Sequence, residues 1–246
     1  MSAVEFAASS SVYDDNYREW KSWPAKDFAV LKPSTARYYS AEMSRAGMMN
    51  RADIRVLEIG FGNGAFLSFC KQQGWSVVGT EIDPALVTLA KQAGFDARPA
   101  AAARELQSAS FDLVAMIDVL EHIAPDEAVA FLQEAMRILR PGGALFAHFP
   151  NGDSPFGLCF QNGDATHVNV IGSEKARYYA RAVGAEIVVI SGEAQPIPAG
   201  SWAHTAHRLL ALPFRLGLNW LVRLIFLPGA KIDFSAPNLT MVLRKV

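Results

Sequence analysis

A strand, a glycine-rich loop and a helix follow one another in the segment that most constrains how this chain can fold. Residues 56–59 are apolar apart from Glu58, and the glycines Gly60, Gly62 and Gly64 come directly after them, followed by a second apolar periodicity. Glycine permits positive φ angles and lets a ligand approach main-chain atoms that a Cβ would shield. The segment therefore predicts a strand-to-helix turn that cradles an adenosine-bearing molecule.

A carboxylate stands where such a site needs one. The next apolar run, 76–80, ends in Glu81, 21 residues after Gly60. At this spacing the tip of the neighbouring parallel strand presents an acid to ribose hydroxyls, so Glu81 and the adjacent Ile82 are predicted to bind the cofactor. Glu58 needs partners if it is buried, and we expect it to brace the loop. The alternative for the glycines is a plain turn, and the alternative for Glu81 is a solvated strand end.

Strand and helix patterns alternate along the chain, which predicts an α/β fold with parallel pairing through helical crossovers. Strands are predicted near 55–60, 76–81, 95–98, 112–118, 143–149, 185–191 and 238–244, and helices near 64–73, 84–93, 126–139 and 173–183. Ligands of open α/β sheets bind beyond the carboxyl ends of the strands. Gly60, Glu81, Asp118 and the 149–167 loop are expected to converge there.

Composition narrows the classes of function. A chain of 246 residues with 51% hydrophobic and 19% charged residues is not largely disordered, and we expect one domain with insertions. A net charge of −1 gives no support for nucleic acid as a partner. Cys70 and Cys159 lie far apart, and no histidine and acid spacing suggests a metal site, so none is expected. The N-terminus lacks a signal-like run, which predicts the cytoplasm.

Downstream motifs separate two cofactor classes. Gly60-x-Gly62-x-x-Ala65 also fits the dinucleotide fingerprint, so a nicotinamide oxidoreductase or an inactive cofactor-binding scaffold stays open on the glycines alone. An FD-LV segment follows at 111–114, LEH at 120–122 and L-RPGG at 139–143. With these motifs in this order, the chain resembles the class I S-adenosylmethionine-dependent methyltransferases over about residues 54–150.

This resemblance implies a Rossmann-like, seven-stranded, mostly parallel sheet with helices on both faces and an antiparallel last strand. It also implies S-adenosylmethionine as the cofactor, with Asp118 against its methionine portion; capping a helix is the alternative role for Asp118. The expected division is one methyltransferase domain, 1–246, with a helical cap at 1–50, a cofactor-binding core at 51–192, an apolar and basic insertion at 193–232 and a final strand at 233–246.

The acceptor side has a resemblance of its own. Residues 149–157 and 162–167 look like the PN-x-x-SPFG and D-x-TH segments of a bacterial methyltransferase subgroup associated with surface-glycan synthesis, although 172–175 depart from its usual pattern. This implies O-methylation of a saccharide, a lipid-linked glycan or a related small molecule. A quinone-like phenol or another small metabolite is the alternative acceptor.

Positioning supplies much of the acceleration of methyl transfer, and a base adds to it only when the nucleophile is a hydroxyl. His167 is the predicted base because histidine titrates near neutrality, and Asp164 is expected to orient its ring. A structural role is the alternative for His167. His148 lies in an apolar strand and is expected to be a core or wall residue, whereas His122 could contact cofactor or acceptor.

Aromatic residues are frequent in the first fifty residues. Tyr17 and Trp20 are candidates to stack on a ligand, with plain core packing as the alternative. The remaining members of the group are Tyr13, Trp23, Phe28, Tyr38 and Tyr39.

The C-terminal third has no acidic residue between Glu193 and Asp233. Arg208, Arg215, Asn219 and Arg223 recur at helical spacing, which places them on one stripe opposite a broad apolar face. We expect a helix over 208–227, started or kinked by Pro213. It would either contact a membrane, with arginines attracting anionic headgroups, or pack on the sheet or form a dimer. A membrane span is not expected, because charged and polar residues interrupt it.

Overall fold

A single sheet organises the computed structural model, which describes residues 15–21 and 25–246. Its strands are β1 (Arg55–Ile59), β2 (Ser76–Glu81), β3 (Asp96–Pro99), β4 (Phe111–Ile117), β5 (Leu139–Pro150), β6 (Glu186–Gly192) and β7 (Asn238–Arg244). Their order across the sheet is β3-β2-β1-β4-β5-β7-β6. Strand β7 runs antiparallel to both neighbours, and the other pairings are parallel. The predicted seven-stranded sheet with an antiparallel last strand is confirmed.

Helices cover both faces of this sheet. They are α1 (Asp15–Trp20), α2 (Pro33–Arg45), α3 (Ala65–Gln72), α4 (Pro84–Gln92), α5 (Ala128–Ile138), α6 (Leu158–Gly163), α7 (Ser173–Ala182) and α8 (Trp202–Ile225). Neighbouring strand residues point to opposite faces. Leu57 and Val114 therefore pack with α5 and α7, whereas Val56 and Leu113 pack with α2 and α3. The predicted Tyr13 and Trp23 lie outside the described residues.

The L-RPGG segment has a structural role at the start of β5. The pairing of β4 with β5 shifts register there, from Phe111 opposite Leu139 to Leu113 opposite Ala144. Arg140 reaches across the bulge and binds Asp112 at 3.0 Å. The same carboxylate accepts a hydrogen bond from the Arg55 amide at 2.9 Å, which ties β1 to β4 at the end of the sheet remote from the glycine loop.

Helix α8 turns its polar stripe toward the protein. Arg208 donates to the Pro196 carbonyl and Arg223 to the Ile232 carbonyl, and Asn219 binds Asp233 at 2.9 Å. The helix begins well before Pro213, so the expectation that this proline starts it is wrong.

The apolar residues of α8 face outward. Val222 is its one buried residue, and large apolar side chains between 42% and 89% exposed run from Trp202 to Leu227. Packing of this face on the sheet, one of our expectations, is therefore wrong. Among the described residues, none of the helices has the length and apolarity needed to cross a bilayer.

Candidate functional site

The glycine loop joins β1 to α3 in the conformation that its sequence predicts. Gly60, Gly62 and Gly64 have φ angles of 70°, 49° and 74°, values that disfavour any residue with a Cβ. A Cβ on Gly60 would lie 2.6 Å from the Val119 side chain, and one on Gly64 would lie 2.7 Å from the Phe28 ring. The glycines therefore let neighbouring side chains close around the loop as well as making the turn.

Glu81 holds this loop from the tip of β2. Its Oε2 accepts a hydrogen bond from the Gly62 amide at 2.9 Å, and its Oε1 accepts from the amides of Ile82 at 2.7 Å and Asp83 at 3.2 Å. Burial raises the pKa of Glu81, and these three amides oppose the increase. A carboxylate offers about four lone-pair sites, so Glu81 keeps capacity to accept from ribose hydroxyls. Its part in fixing the loop was not foreseen.

A cavity of about 310 Å³ opens beside the loop, within the roughly 300–1,000 Å³ range of small-molecule sites. Of the residues predicted to bind cofactor, Gly64 is absent from its wall, because it caps α3 instead. The predicted residues that line the cavity are Glu58, Gly60, Gly62, Glu81, Ile82 and Asp118.

Glu58 contributes a buried carboxyl whose Oε2 has no hydrogen-bond partner among the described residues. Burial, reinforced by the nearby Glu81, raises its pKa well above the ordinary value. The side-chain-free loop, Glu81 and this orphaned oxygen border one cavity and fit an adenosyl cofactor, which Gly60, Gly62 and Glu81 would hold.

An ionic triad supports the next part of the wall, where Asp118 lines the cavity. His148 of β5 binds Asp118 through Nδ1 at 2.7 Å and Glu193 through Nε2 at 3.2 Å. Burial disfavours the imidazolium, but the two carboxylates outweigh it and raise the pKa of His148 well above its ordinary value. Asp118 thus binds a histidine rather than capping a helix, and its backbone has a φ of 55°. His148 is buried with both ring nitrogens bonded, as expected of a core or wall residue.

Asp164 anchors the N-terminal helix to the acceptor side. Its Oδ2 lies 2.9 Å from the Lys21 ammonium and accepts a hydrogen bond from the Tyr17 hydroxyl at 3.3 Å. Its Oδ1 accepts from the Thr166 hydroxyl at 2.6 Å and the Thr166 amide at 2.9 Å. Burial opposes ionisation, but these donors lower the pKa of Asp164. Tyr17 and Lys21 line the cavity, whereas Trp20 is 55% exposed.

His167, the predicted base, lies behind another histidine. Its ring meets that of His122 edge to face at 4.6 Å, and it is His122 that lines the cavity. His167 Nε2 is 3.5 Å from Asp164 and 3.9 Å from Glu121, and neither ring nitrogen makes a hydrogen bond within the described part of the chain. Asp164 therefore binds Thr166 and the N-terminal helix more closely than it binds the imidazole.

Both imidazoles are neutral near pH 7. Burial lowers the pKa of His122 to about 4 and lowers that of His167 below its ordinary value. Sequence spacing did not reveal that Glu121, Thr166 and Lys21 join these rings, because the contact between His122 and Thr166 spans 44 residues.

Comparisons with known proteins agree with this geometry. Residues 57–147 match the family model described as "Methyltransferase domain". A "Ubiquinone biosynthesis O-methyltransferase" of Xanthomonas oryzae is 31% identical over 131 residues, 50% of this chain and 52% of that protein. One of the same name from Xylella fastidiosa is 33% identical over 131 residues, 50% of each chain. The chain thus spans about half the length of these curated relatives.

Solved structures match more of the chain at lower identity. A "SAM dependent methyltransferase" from Archaeoglobus fulgidus has a TM-score of 0.65 at 17% identity, covering 94% of this chain and 100% of its own. A Burkholderia thailandensis N1-methyltransferase with bound S-adenosylhomocysteine has a TM-score of 0.56 at 18% identity, covering 100% of this chain and 92% of its own. At these identities the likeness establishes the fold. The chain therefore has the fold of these S-adenosylmethionine-dependent methyltransferases, and its residues 57–147 are similar to a methyltransferase domain.

Proposed function

We propose that this chain transfers a methyl group from S-adenosylmethionine to a hydroxyl oxygen of a small molecule, with a phenol as the acceptor class. The observation that carries the proposal is a cavity that has the glycine loop and Glu81 on one wall and the neutral ring of His122 on another. The matched relatives are named as O-methyltransferases of ubiquinone biosynthesis, which favours a quinone-like phenol. They lend no support to the saccharide acceptor expected from the sequence.

His122 and His167 are the groups that would meet the acceptor hydroxyl and its proton. Thr166 has one hydroxyl hydrogen, and its 2.6 Å contact to the acceptor-only carboxylate of Asp164 uses it. Thr166 must then accept from Nδ1–H of His122, 2.9 Å away. This assigns the tautomer of His122 and leaves the lone pair on Nε2. We retain His167 as a member of this acceptor-side pair, with Asp164 acting through Thr166.

The experiment supplies labelled S-adenosylmethionine together with a catechol, a simple phenol and a reducing saccharide. We expect transfer to the catechol or phenol. His122→Ala and His167→Ala should each lower turnover by about two to four decades, the usual contribution of proton transfer, with S-adenosylhomocysteine affinity nearly unchanged. His207→Ala, an exposed histidine on α8, is the matched control.

Transfer to the saccharide alone would replace the phenol as the acceptor class. Binding of NAD without S-adenosylhomocysteine would overturn the methyltransferase proposal altogether. Losses below tenfold in both histidine variants would mean that positioning, rather than these imidazoles, supplies the rate.

A further inference from the structure

Three metal-ligating side chains meet beside the acceptor end of the cavity. Glu121, His122 and His167 each offer a ligand atom, and these atoms all lie within 4.8 Å of one another. The fold brings them together because the Glu121 carbonyl accepts hydrogen bonds from the amides of Val168 and Asn169, at 2.9 and 3.0 Å. The cluster is therefore fixed by main-chain contacts between the end of β4 and the loop after α6.

The cluster contains buried polar atoms that lack partners. Glu121 is 1% exposed, and neither of its carboxylate oxygens has a hydrogen-bond partner among the described residues. Both ring nitrogens of His167 also lack a hydrogen-bond partner among the described residues, and the side chain is 6% exposed. Buried polar groups are nearly always hydrogen-bonded, and one left unsatisfied is destabilising. Since one ligand atom from each of the three residues lies within 4.8 Å of the others, a single bound ion would give these atoms a partner.

The third side chain is oriented as metal-bound histidines are. Nδ1–H of His122 donates to Thr166, which donates in turn to Asp164, so Nε2 carries the lone pair. Metal-ligating histidines almost always donate their other N–H to such an outer partner. His167 Nε2 and Glu121 Oε1 are 3.9 Å apart, whereas donors about 2.1 Å from a tetrahedral ion lie roughly 3.4 Å apart. The two atoms would need to approach each other by roughly 0.5 Å to reach that spacing.

We propose that Glu121, His122 and His167 bind a divalent transition-metal ion, with zinc as the best match to two imidazoles and one carboxylate. Zinc sites that act in catalysis use such a set of three protein ligands and keep one position open. Imidazole donors favour this class over magnesium or calcium, which prefer oxygen. The ammonium of Lys21 is nearby, but Asp164 pairs with it at 2.9 Å. This inference rests on the proposed function for its role. With both imidazole lone pairs on the ion, the open position would receive the acceptor hydroxyl and lower its pKa, so the two histidines would promote loss of the proton to solvent through the ion rather than by accepting it themselves.

The test is calorimetric titration of the chelator-treated full chain with Zn²⁺, alongside Mg²⁺. We expect one Zn²⁺ per chain, with much weaker binding of Mg²⁺. Glu121→Gln preserves the shape of the side chain and should weaken Zn²⁺ binding at least tenfold, as should His167→Asn. The matched control is His204→Asn with His207→Asn, which removes two exposed histidines of α8 and should leave the affinity unchanged.

The outcomes separate this inference from the proposed function. No Zn²⁺ binding by wild type, or equal binding by Glu121→Gln, would overturn the metal site even if phenols are methylated. Zn²⁺ binding that the exposed-histidine control abolishes would overturn it too. If Zn²⁺ binds as expected but none of the acceptors is methylated, the site stands and the proposed function fails. Thermal melts of each variant without metal identify any that does not fold.

Helix α8 supports a second inference from a different observation. Its polar stripe is bonded to the rest of the chain, so the exposed apolar residues cover roughly half of the helix circumference at 100° per residue. That arc is wider than the narrow seam that one partner helix covers. The helix is about 36 Å long, and Trp202 and Trp220, residues suited to membrane interfaces, lie exposed on it.

We propose that this face lies in the surface of a lipid bilayer, with α8 parallel to the membrane. The absence of acidic residues between Glu193 and Asp233, with Lys231 exposed at the end of the segment, makes the face compatible with anionic headgroups. The arginines, expected to attract lipid, instead bond to the protein. Apolar insertion rather than charge should therefore dominate the binding.

The probe is a vesicle of phosphatidylcholine and phosphatidylglycerol, assayed by co-sedimentation at low and high salt. Wild type should bind at both salt concentrations, and Leu210→Glu with Phe214→Glu should abolish binding. Tyr178→Glu, which changes an exposed aromatic residue on α7, is the matched control and should bind like wild type. Release by salt would mean that charge holds the protein and would overturn insertion. A dimer that Phe214→Glu disrupts, without vesicle binding, would assign the face to a second copy.

Discussion

Glu81 is the residue whose removal tests the cofactor site most directly. Glu81→Ala deletes the acceptor of the Gly62, Ile82 and Asp83 amides together with the proposed bond to ribose. A hydrogen bond to a charged group contributes about 1.5–3 kcal/mol, so loss of the ribose bond alone should weaken S-adenosylhomocysteine binding by roughly one to two decades. The unpaired Gly62 amide should also lower the melting temperature.

Calorimetry with S-adenosylhomocysteine measures the first effect and thermal melting the second. Glu81→Gln should be intermediate, because its amide oxygen can still accept from Gly62 while its NH₂ group faces the donors of Ile82 and Asp83. Glu105→Ala, an exposed acid beyond β3, is the control and should change neither quantity. Wild-type affinity and melting temperature in Glu81→Ala would refute both roles of this carboxylate.

Two further predictions concern the cavity wall and the triad that supports it. Gly60→Ala adds a Cβ 2.6 Å from Val119 at a φ of 70°, so urea unfolding should show a loss of about 2–4 kcal/mol. Gly74 has a φ of 74° but open space around it, so Gly74→Ala should lower the free energy of unfolding by only about 1–2 kcal/mol. Equal losses in the two variants would exclude a clash at Gly60. The raised pKa of His148 contributes stability below pH about 6.5 that is lost as pH rises through the folded value. The melting temperature of wild type should therefore exceed that of His148→Gln by less as the pH rises. A difference in melting temperature that does not change with pH would contradict the triad.

The sheet and the glycine loop were predictable because their signals are local. Alternation of apolar runs with turn residues predicted all seven strands to within a few residues, and Gly60, Gly62 and Gly64 mark the turn by themselves. The short helix α6 was missed, since its six residues, Leu158–Gly163, carry too few turns for a periodicity.

The acceptor side was less predictable because its contacts are tertiary. His167 was singled out because it lies on a polar loop and histidine titrates near neutrality. Its position depends, however, on hydrogen bonds that the amides of residues 168 and 169 donate to the Glu121 carbonyl. Linear spacing cannot show that Glu121 and His167 face each other. It also could not show that Asp164 forms an ion pair with Lys21, which directly follows α1.

For α8 the periodicity was predicted and its orientation was not. The stripe of Arg208, Arg215, Asn219 and Arg223 follows from helical geometry alone, but which stripe faces the protein depends on what lies opposite. Asn219 accepts from the Ser235 amide at 2.8 Å and donates to Asp233, so the loop before β7 selects the polar side.

The inward polar stripe also determines how firmly α8 is held. Hydrophobic burial normally anchors a helix, but Val222 is the one buried residue here, so side-chain hydrogen bonds supply most of the attachment. Segments with few buried apolar contacts open locally at a lower free energy than the global unfolding free energy. Backbone amides of α8 should therefore exchange with deuterium long before those of β1 or β4. Such a helix can detach and dock again while the sheet beneath it stays folded.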